Sequence, residues 1–281
     1  MTLPGGLFRD GNLHLDYRFK PVTGVLERAF AESGLNTDTL PRQVSRVLAS
    51  SLAELGGLAV DEDLVRALSA GDRQYLMRQL EALIDPGPRW TTVVCRGCEE
   101  FIQFQVEPGD LPVKRAGTGY PHQAIQLTQG EAWVRVVTGA DEEALARDVG
   151  DAESGIHYLL QRLVTVGGSP VDPRRLSESD FQAIDDLLDK MSPQPALTAL
   201  VECPYCQLAQ DAVLDPCAWL ARESSALDQD VHLLALHYHW SEQDILSLSR
   251  SRREIYLRLI EQSLGRYRAD DLIREAAGRR R

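Results

Sequence analysis

Val93-Val94-Cys95-Arg96-Gly97-Cys98-Glu99-Glu100-Phe101 and Leu200-Val201-Glu202-Cys203-Pro204-Tyr205-Cys206-Gln207-Leu208 are two copies of one pattern, a Cys-x-x-Cys turn between apolar runs. The flanking runs, Thr91 to Val94 with Phe101 to Val106, and Leu197 to Val201 with Ala209 to Leu214, read as strands. A Cys-x-x-Cys turn brings both sulfurs to one side, so two such turns supply four thiolates in a tetrahedron. Cys95, Cys98, Cys203 and Cys206 are therefore the expected ligands of one zinc ion in a ribbon. Four sulfurs close the coordination shell, and a closed shell suits a structural metal and not a catalytic one.

The two knuckles lie 108 residues apart, far more than the roughly 15–20 residues of an ordinary ribbon. Either one ribbon carries a long insertion, or two half-ribbons arose by duplication. The flanking residues favour duplication. At the same 108-residue offset, Leu68-Ser69 and Asp72 match Leu176-Ser177 and Asp180, and Val106 and Pro108 match Leu214 and Pro216. With small gaps, Gly56-Gly57 matches Gly167-Gly168, and Val22-Thr23-Gly24 with Glu27 matches Val137-Thr138-Gly139 with Glu142. The expected fold is α+β, with two duplicated units sharing one zinc ribbon. The first unit spans 1–113, the second 122–217, and a helical segment covers 218–281.

Local signals fill in the units. Asp10-Gly11 predicts a hairpin turn ahead of the alternating Leu13, Leu15, Tyr17 and Phe19. Helices are expected from Gly24 to Ser33, Pro41 to Leu55 and Glu62 to Leu68. Another runs from the Ser69 cap to Ile84, with Leu76, Leu80, Leu83 and Tyr75 as its buried stripe. Pro86-Gly87-Pro88 ends it, and 107–121, rich in Pro and Gly, reads as a linker. The second unit repeats the scheme with strands 122–127 and 132–137 and helices 141–149, 153–166 and 177–191. Beyond it, helices are expected over 216–224, 228–239, 245–248 and 251–264, the last with Ile255, Leu259 and Ile260 inward.

Composition narrows the function. No run of about 18 apolar residues reads as a membrane span, and the first residues lack the pattern of a signal peptide. A cytosolic setting is expected, in which thiols stay reduced and metal ligation is favoured over disulfides. Cys217, the fifth cysteine, reads as a packed thiol. The net charge of −12 argues against nucleic acid, the commonest partner of zinc ribbons. The terminal Arg279-Arg280-Arg281 is too short a basic stretch to reverse that and reads as a solvated end. A phosphate loop, a nucleophile elbow and a His-Glu-x-x-His motif are all missing, which argues against an enzyme and a small-molecule substrate. His237 and His239 are two positions apart and do not share a helix face, so with Tyr238 and Trp240 they read as a packed helix end.

Taken in order, Leu3-Pro4-Gly5, Val22-Thr23-Gly24 with Glu27, Leu68 to Leu76, the two knuckles, and His239-Trp240-Ser241 through Ile245 with Arg252-Arg253 resemble the T-even-phage-type baseplate hub assembly chaperones. These belong to contractile phage tails and related contractile injection systems. The resemblance implies a non-enzymatic cytoplasmic role in building a baseplate, with hub or spike proteins as partners. It transfers no catalytic residue. A zinc-ribbon nucleic-acid binder and a metalloenzyme are the rival readings. The first needs a localised basic face, the second an open metal position.

Overall fold

The two-residue turn Asp10-Gly11 has φ of 51° and 77°, the left-handed values that let a hairpin close with the twist of its strands. It joins β1 (Thr2–Arg9) to β2 (Asn12–Phe19) in a computed structural model that describes residues 1–33, 39–84, 87–107, 111–221 and 224–278. The fold is α+β. The described chain divides into two compact units, one of residues 1–20 and 33–219, the other of 21–32 and 220–281.

After α1 (Gly24–Ser33), which belongs to the other unit, the first unit resumes with α2 (Leu40–Ser51), and β3 (Leu52–Leu55) pairs antiparallel with β2. Then come α3 (Glu62–Arg66), α4 (Ala70–Ile84), and the hairpin β4 (Arg89–Val94) and β5 (Phe101–Val106). After β6 (Val113–Lys114) the order is β7 (His122–Leu127), β8 (Gly130–Arg135), α5 (Gly139–Asp148), α6 (Ala152–Leu163), β9 (Val164–Val166) and β10 (Ser169–Pro170). A 3-10 turn at Pro173–Arg175 precedes α7 (Glu178–Met191), β11 (Gln194–Pro195), and the hairpin β12 (Thr198–Glu202) and β13 (Ala209–Val213). As β3 pairs with β2, so β9 pairs with β8. In the other unit α1 is accompanied by α8 (Ser224–Tyr238), α9 (Glu242–Ser247) and α10 (Arg250–Gly278).

Two helices stop earlier than their spacing predicts. The helix expected to Leu55 ends at Ser51, and that expected to Val166 ends at Leu163. In both, the last residues turn into the strand beside the hairpin, because a hairpin edge offers backbone bonds that an extra helical turn does not use. Leu52, Leu55 and Val164 stay buried, so the apolar spacing continues across the change. The supposed linker is packed: β6 pairs with β11, Ala116 N donates to Pro4 O and Gly117 N to Met191 O. Pro86 and residues 108–110 of these expectations, and Arg279-Arg280-Arg281, lie outside the described residues. Two stripes are met in part. Leu76, Leu80 and Ile260 are buried as expected, but Leu83, Ile255 and Leu259 are exposed, and the charged Arg73 and Arg253 join the buried side chains of α4 and α10. In place of a helix at 216–224 a 3-10 turn covers Ala218–Ala221.

The Ser-x-x-Asp caps do more than start helices. Ser69 Oγ donates to Asp72 Oδ2 at 2.6 Å, and the same carboxylate accepts Gly5 N at 2.8 Å and Gly6 N at 3.1 Å. Those amides come free where the register of β1 and β2 shifts between Thr2 and Leu7. Asp180 receives Ser177 Oγ at 2.8 Å, Thr128 N at 2.8 Å and Thr128 Oγ1 at 2.5 Å, so it ties α7 to the β7–β8 turn. Burial pushes Asp72 up, against the lowering from Ser69, Gly5, Gly6 and Tyr120, whereas the bonds from Thr128 and Ser177 hold Asp180 well below the usual carboxylate range.

The paired Val-Thr-Gly turns also have a structural role. Gly139 N donates to Leu68 O at 3.0 Å and Ala70 N to Val137 O at 2.9 Å, seating the start of α5 on the start of α4. Arg73, 1% exposed, gives Nε to Glu142 Oε2 at 3.0 Å, Nη1 to Ser45 Oγ at 2.9 Å and Nη2 to Pro41 O at 2.7 Å. Ser45 Oγ in turn reaches Glu143 Oε1 at 2.5 Å. Burial pushes Glu142 up and Arg73 down, and their mutual attraction opposes both shifts. In the other unit Gly24 N donates to Leu248 O at 3.1 Å, and Arg253 Nη2 and Arg250 Nη2 meet Glu27 Oε2 at 2.8 and 3.1 Å. Both turns pack closely: a Cβ on Gly139 would stand 2.3 Å from Arg73 Nη1 and displace it, and one on Gly24 would crowd Leu246 Cδ2 at 2.9 Å and Arg253 Nη1 at 3.0 Å.

Candidate metal centre

β4–β5 and β12–β13 are two-stranded ladders in continuous antiparallel register, and each ends in a knuckle. The knuckles make the same backbone bonds. Cys95 N donates to Glu100 O at 2.8 Å and Glu99 N to Cys95 O at 3.0 Å; Cys203 N donates to Leu208 O at 3.0 Å and Gln207 N to Cys203 O at 2.9 Å. Glu99 and Gln207 both take φ of 62°, the left-handed step that turns the chain back after the second cysteine.

The four expected ligands meet. The sulfurs of Cys95, Cys98, Cys203 and Cys206 all lie within 4.8 Å of one another. Across the two hairpins, Cys95 Sγ is 3.6 Å from Cys206 Sγ, and Cys98 Sγ is 3.6 Å from Cys203 Sγ. Sulfurs about 2.3 Å from a tetrahedral ion stand about 3.8 Å apart, so the set fits such a metal. All four are free thiols.

The electrostatics point the same way. Backbone N–H bonds from Cys98 and Gly97 lower Cys95 to about 6. Cys98 accepts a lowering bond from Glu100, but burial and the neighbouring sulfurs push it up to about 12. A divalent cation at the centre of the set would favour thiolate ligands.

The surroundings are small and apolar: Ile102, Val201 and Ala212 pack with Cys95 and Cys203, flanked by Val93 and Phe104. One polar side chain crosses between the hairpins. Gln210 accepts Arg96 N on Oε1 at 2.8 Å and gives Nε2 to Val94 O at 3.0 Å. Its partner position in the first hairpin is Ile102, so nothing in the matched spacing singled it out. Arg96, Glu99, Glu100 and Glu202 around the knuckles are exposed, an acidic margin and not a basic one.

Other candidates take structural roles. Tyr238 stacks on Trp240 at 4.8 Å between ring centres, and Tyr256 meets Trp240 edge-on at 4.9 Å, as expected for a packed helix end. Cys217 is half-buried, away from the four-sulfur set, and burial pushes it up to about 12. Among the described residues no helix is long and apolar enough to cross a membrane. In comparison with known proteins, the chain matches no family model, no curated protein and no solved structure.

Proposed function

We propose that this protein is a non-enzymatic assembly factor, or a minor component, of a contractile phage-tail-like baseplate, held together by one structural zinc. In this reading the two halves arose by duplication, and Cys95, Cys98, Cys203 and Cys206 clasp one to the other. The convergence of four sulfurs from residues 105 and 111 apart in the chain carries the structural-metal part of the proposal. A cytosolic thiol set with tetrahedral spacing favours zinc. Zinc would supply charge neutralisation and a crosslink, with no ligand position left for substrate.

The baseplate part rests on the ordered residues that resemble the hub assembly chaperones, and two of those stretches have concrete duties. Val22-Thr23-Gly24 with Glu27 contains the glycine and glutamate of one buried seat, and Leu68 to Leu76 contains the arginine of the other. The partners are baseplate hub or spike proteins. The test is co-expression of the tagged chain with the genes of a contractile tail, followed by identification of what copurifies. Hub or spike proteins in stoichiometric amounts support the proposal. Assembly of normal particles with no association and no defect on deleting the gene contradicts it.

A further inference from the structure

The chain contains the Leu-Ser helix start three times: Leu68-Ser69 before α4, Leu176-Ser177 before α7 and Leu248-Ser249 before α10. Each is preceded by a short capped turn, with Asp61, Asp172 and Ser241 as the caps. Two of the three receive another helix. The start of α5 gives Gly139 N to Leu68 O, and the start of α1 gives Gly24 N to Leu248 O. In both, the residue five positions after the leucine is a buried arginine, Arg73 or Arg253, and it holds a glutamate three positions after the glycine.

The third start is different. Among the described residues no backbone N–H reaches Leu176 O. The arginine position holds Phe181. Counted back from Gly167-Gly168 as Ser45 is from Gly56-Gly57, the partner of the buried Ser45 is Ile156, which is 57% exposed. The polar seat between α2 and α4 thus has an apolar counterpart between α6 and α7. There Ile156, Leu159, Leu163, Phe181, Ile184 and Leu188 line an open groove of about 410 Å³. α5 covers the first seat; it also packs against α6, yet Ile156 stays 57% exposed at this one.

We infer that the α6–α7 groove receives the start of a helix from a different protein. The two filled seats define its chemistry: a glycine turn, then three positions later an apolar residue in place of Glu27 or Glu142. A second copy of this chain fits poorly. Both of its glycine-led helices bring glutamate to that position, where it would meet Phe181 and the acidic rim of Glu178 and Asp185. A carboxylate desolvated there has no countercharge. This inference is independent of the baseplate reading.

The test uses two synthetic peptides covering residues 136–149 of this chain, one unchanged and one with Glu142→Leu, titrated into the full-length protein while methyl NMR is recorded. The Glu142→Leu peptide should shift the methyl signals of Ile156, Leu159 and Leu188 and bind about tenfold or more tightly than the unchanged peptide. Phe181→Arg in the protein should reverse that preference. Ile156→Asp, at an exposed position, should abolish the shifts while leaving signals elsewhere in place, and it stands in if Phe181→Arg misfolds. No shift in the groove at millimolar peptide, equal binding of both peptides, or shifts unchanged by Ile156→Asp would overturn the inference.

Discussion

Two of the joints between the first and second halves of this chain differ in what they require. At the knuckles the joint is four thiols around a core of five buried residues, among them Cys95 and Cys203 themselves. At the Arg73 seat the joint is a guanidinium bonded to Glu142, Ser45 and Pro41, with the backbone of Gly139 on Leu68. A hairpin pair with so little apolar area gains most from an added crosslink, and under the proposed zinc reading the first joint depends on an ion. The second is complete without one. In that reading one of these two joints is conditional and the other permanent.

The largest expected effect is on the conditional joint. Structural zinc contributes about 10–16 kcal/mol to small zinc-dependent folds. Chelation, or Cys203→Ser, should therefore expose the backbone amides of β4–β5 and β12–β13 to hydrogen exchange while those of α4 and α5 stay protected. Equal loss of protection at both joints would show that they are not separable. Next in size is the permanent joint. Arg73→Met leaves Glu142 without its buried counter-charge, while Glu143 keeps Arg66 at 3.1 Å, and should cost about 3–5 kcal/mol in denaturant unfolding without loosening the knuckles. A cost under about 1 kcal/mol would mean that the seat is held by packing alone.

A pH experiment sharpens the same contrast. Burial opposes ionisation of Asp141, but Arg135 at 2.6 Å, the Thr138 amide at 3.0 Å and Arg162 at 2.8 Å outweigh it and hold the carboxyl well below its usual range. A depressed carboxyl stabilises the fold above its unfolded value, about pH 4, and that stability is lost as pH falls below it. Asp72, pushed up by burial, has the opposite sign, its contribution favouring the fold as pH falls through its raised value. Asp141→Asn should therefore flatten the loss of stability below about pH 4; an unchanged acid limb would assign that loss to other groups. The smallest effect is expected for Gln210→Ala, which frees Arg96 N and Val94 O and should cost about 1–3 kcal/mol. It should loosen metal retention without abolishing it. If metal affinity is untouched, Gln210 only braces the hairpins.

The cysteine spacing exposed the four-sulfur cluster before any coordinates, because Cys-x-x-Cys is a local geometry that needs only a turn. The Ser69 and Ser177 caps were legible for the same reason. Long-range partners were not. Arg73 and Arg253 look like ordinary surface charges in a helical pattern, and only the seat of another helix start buries them. Gln210 occupies a polar place in an alternating strand and reveals itself only across the hairpins. The ends of α2 and α6 misled because Leu52, Leu55 and Val164 satisfy helical and strand spacing alike, and the neighbouring strand decides between them.

X-ray absorption at the metal edge of the purified protein tests the central claim most directly. One zinc per chain with four sulfurs at about 2.3 Å, lost equally on Cys95→Ser and Cys203→Ser, is the predicted result. A mixed nitrogen and sulfur shell, two metals per chain, or a site that survives either substitution would contradict it.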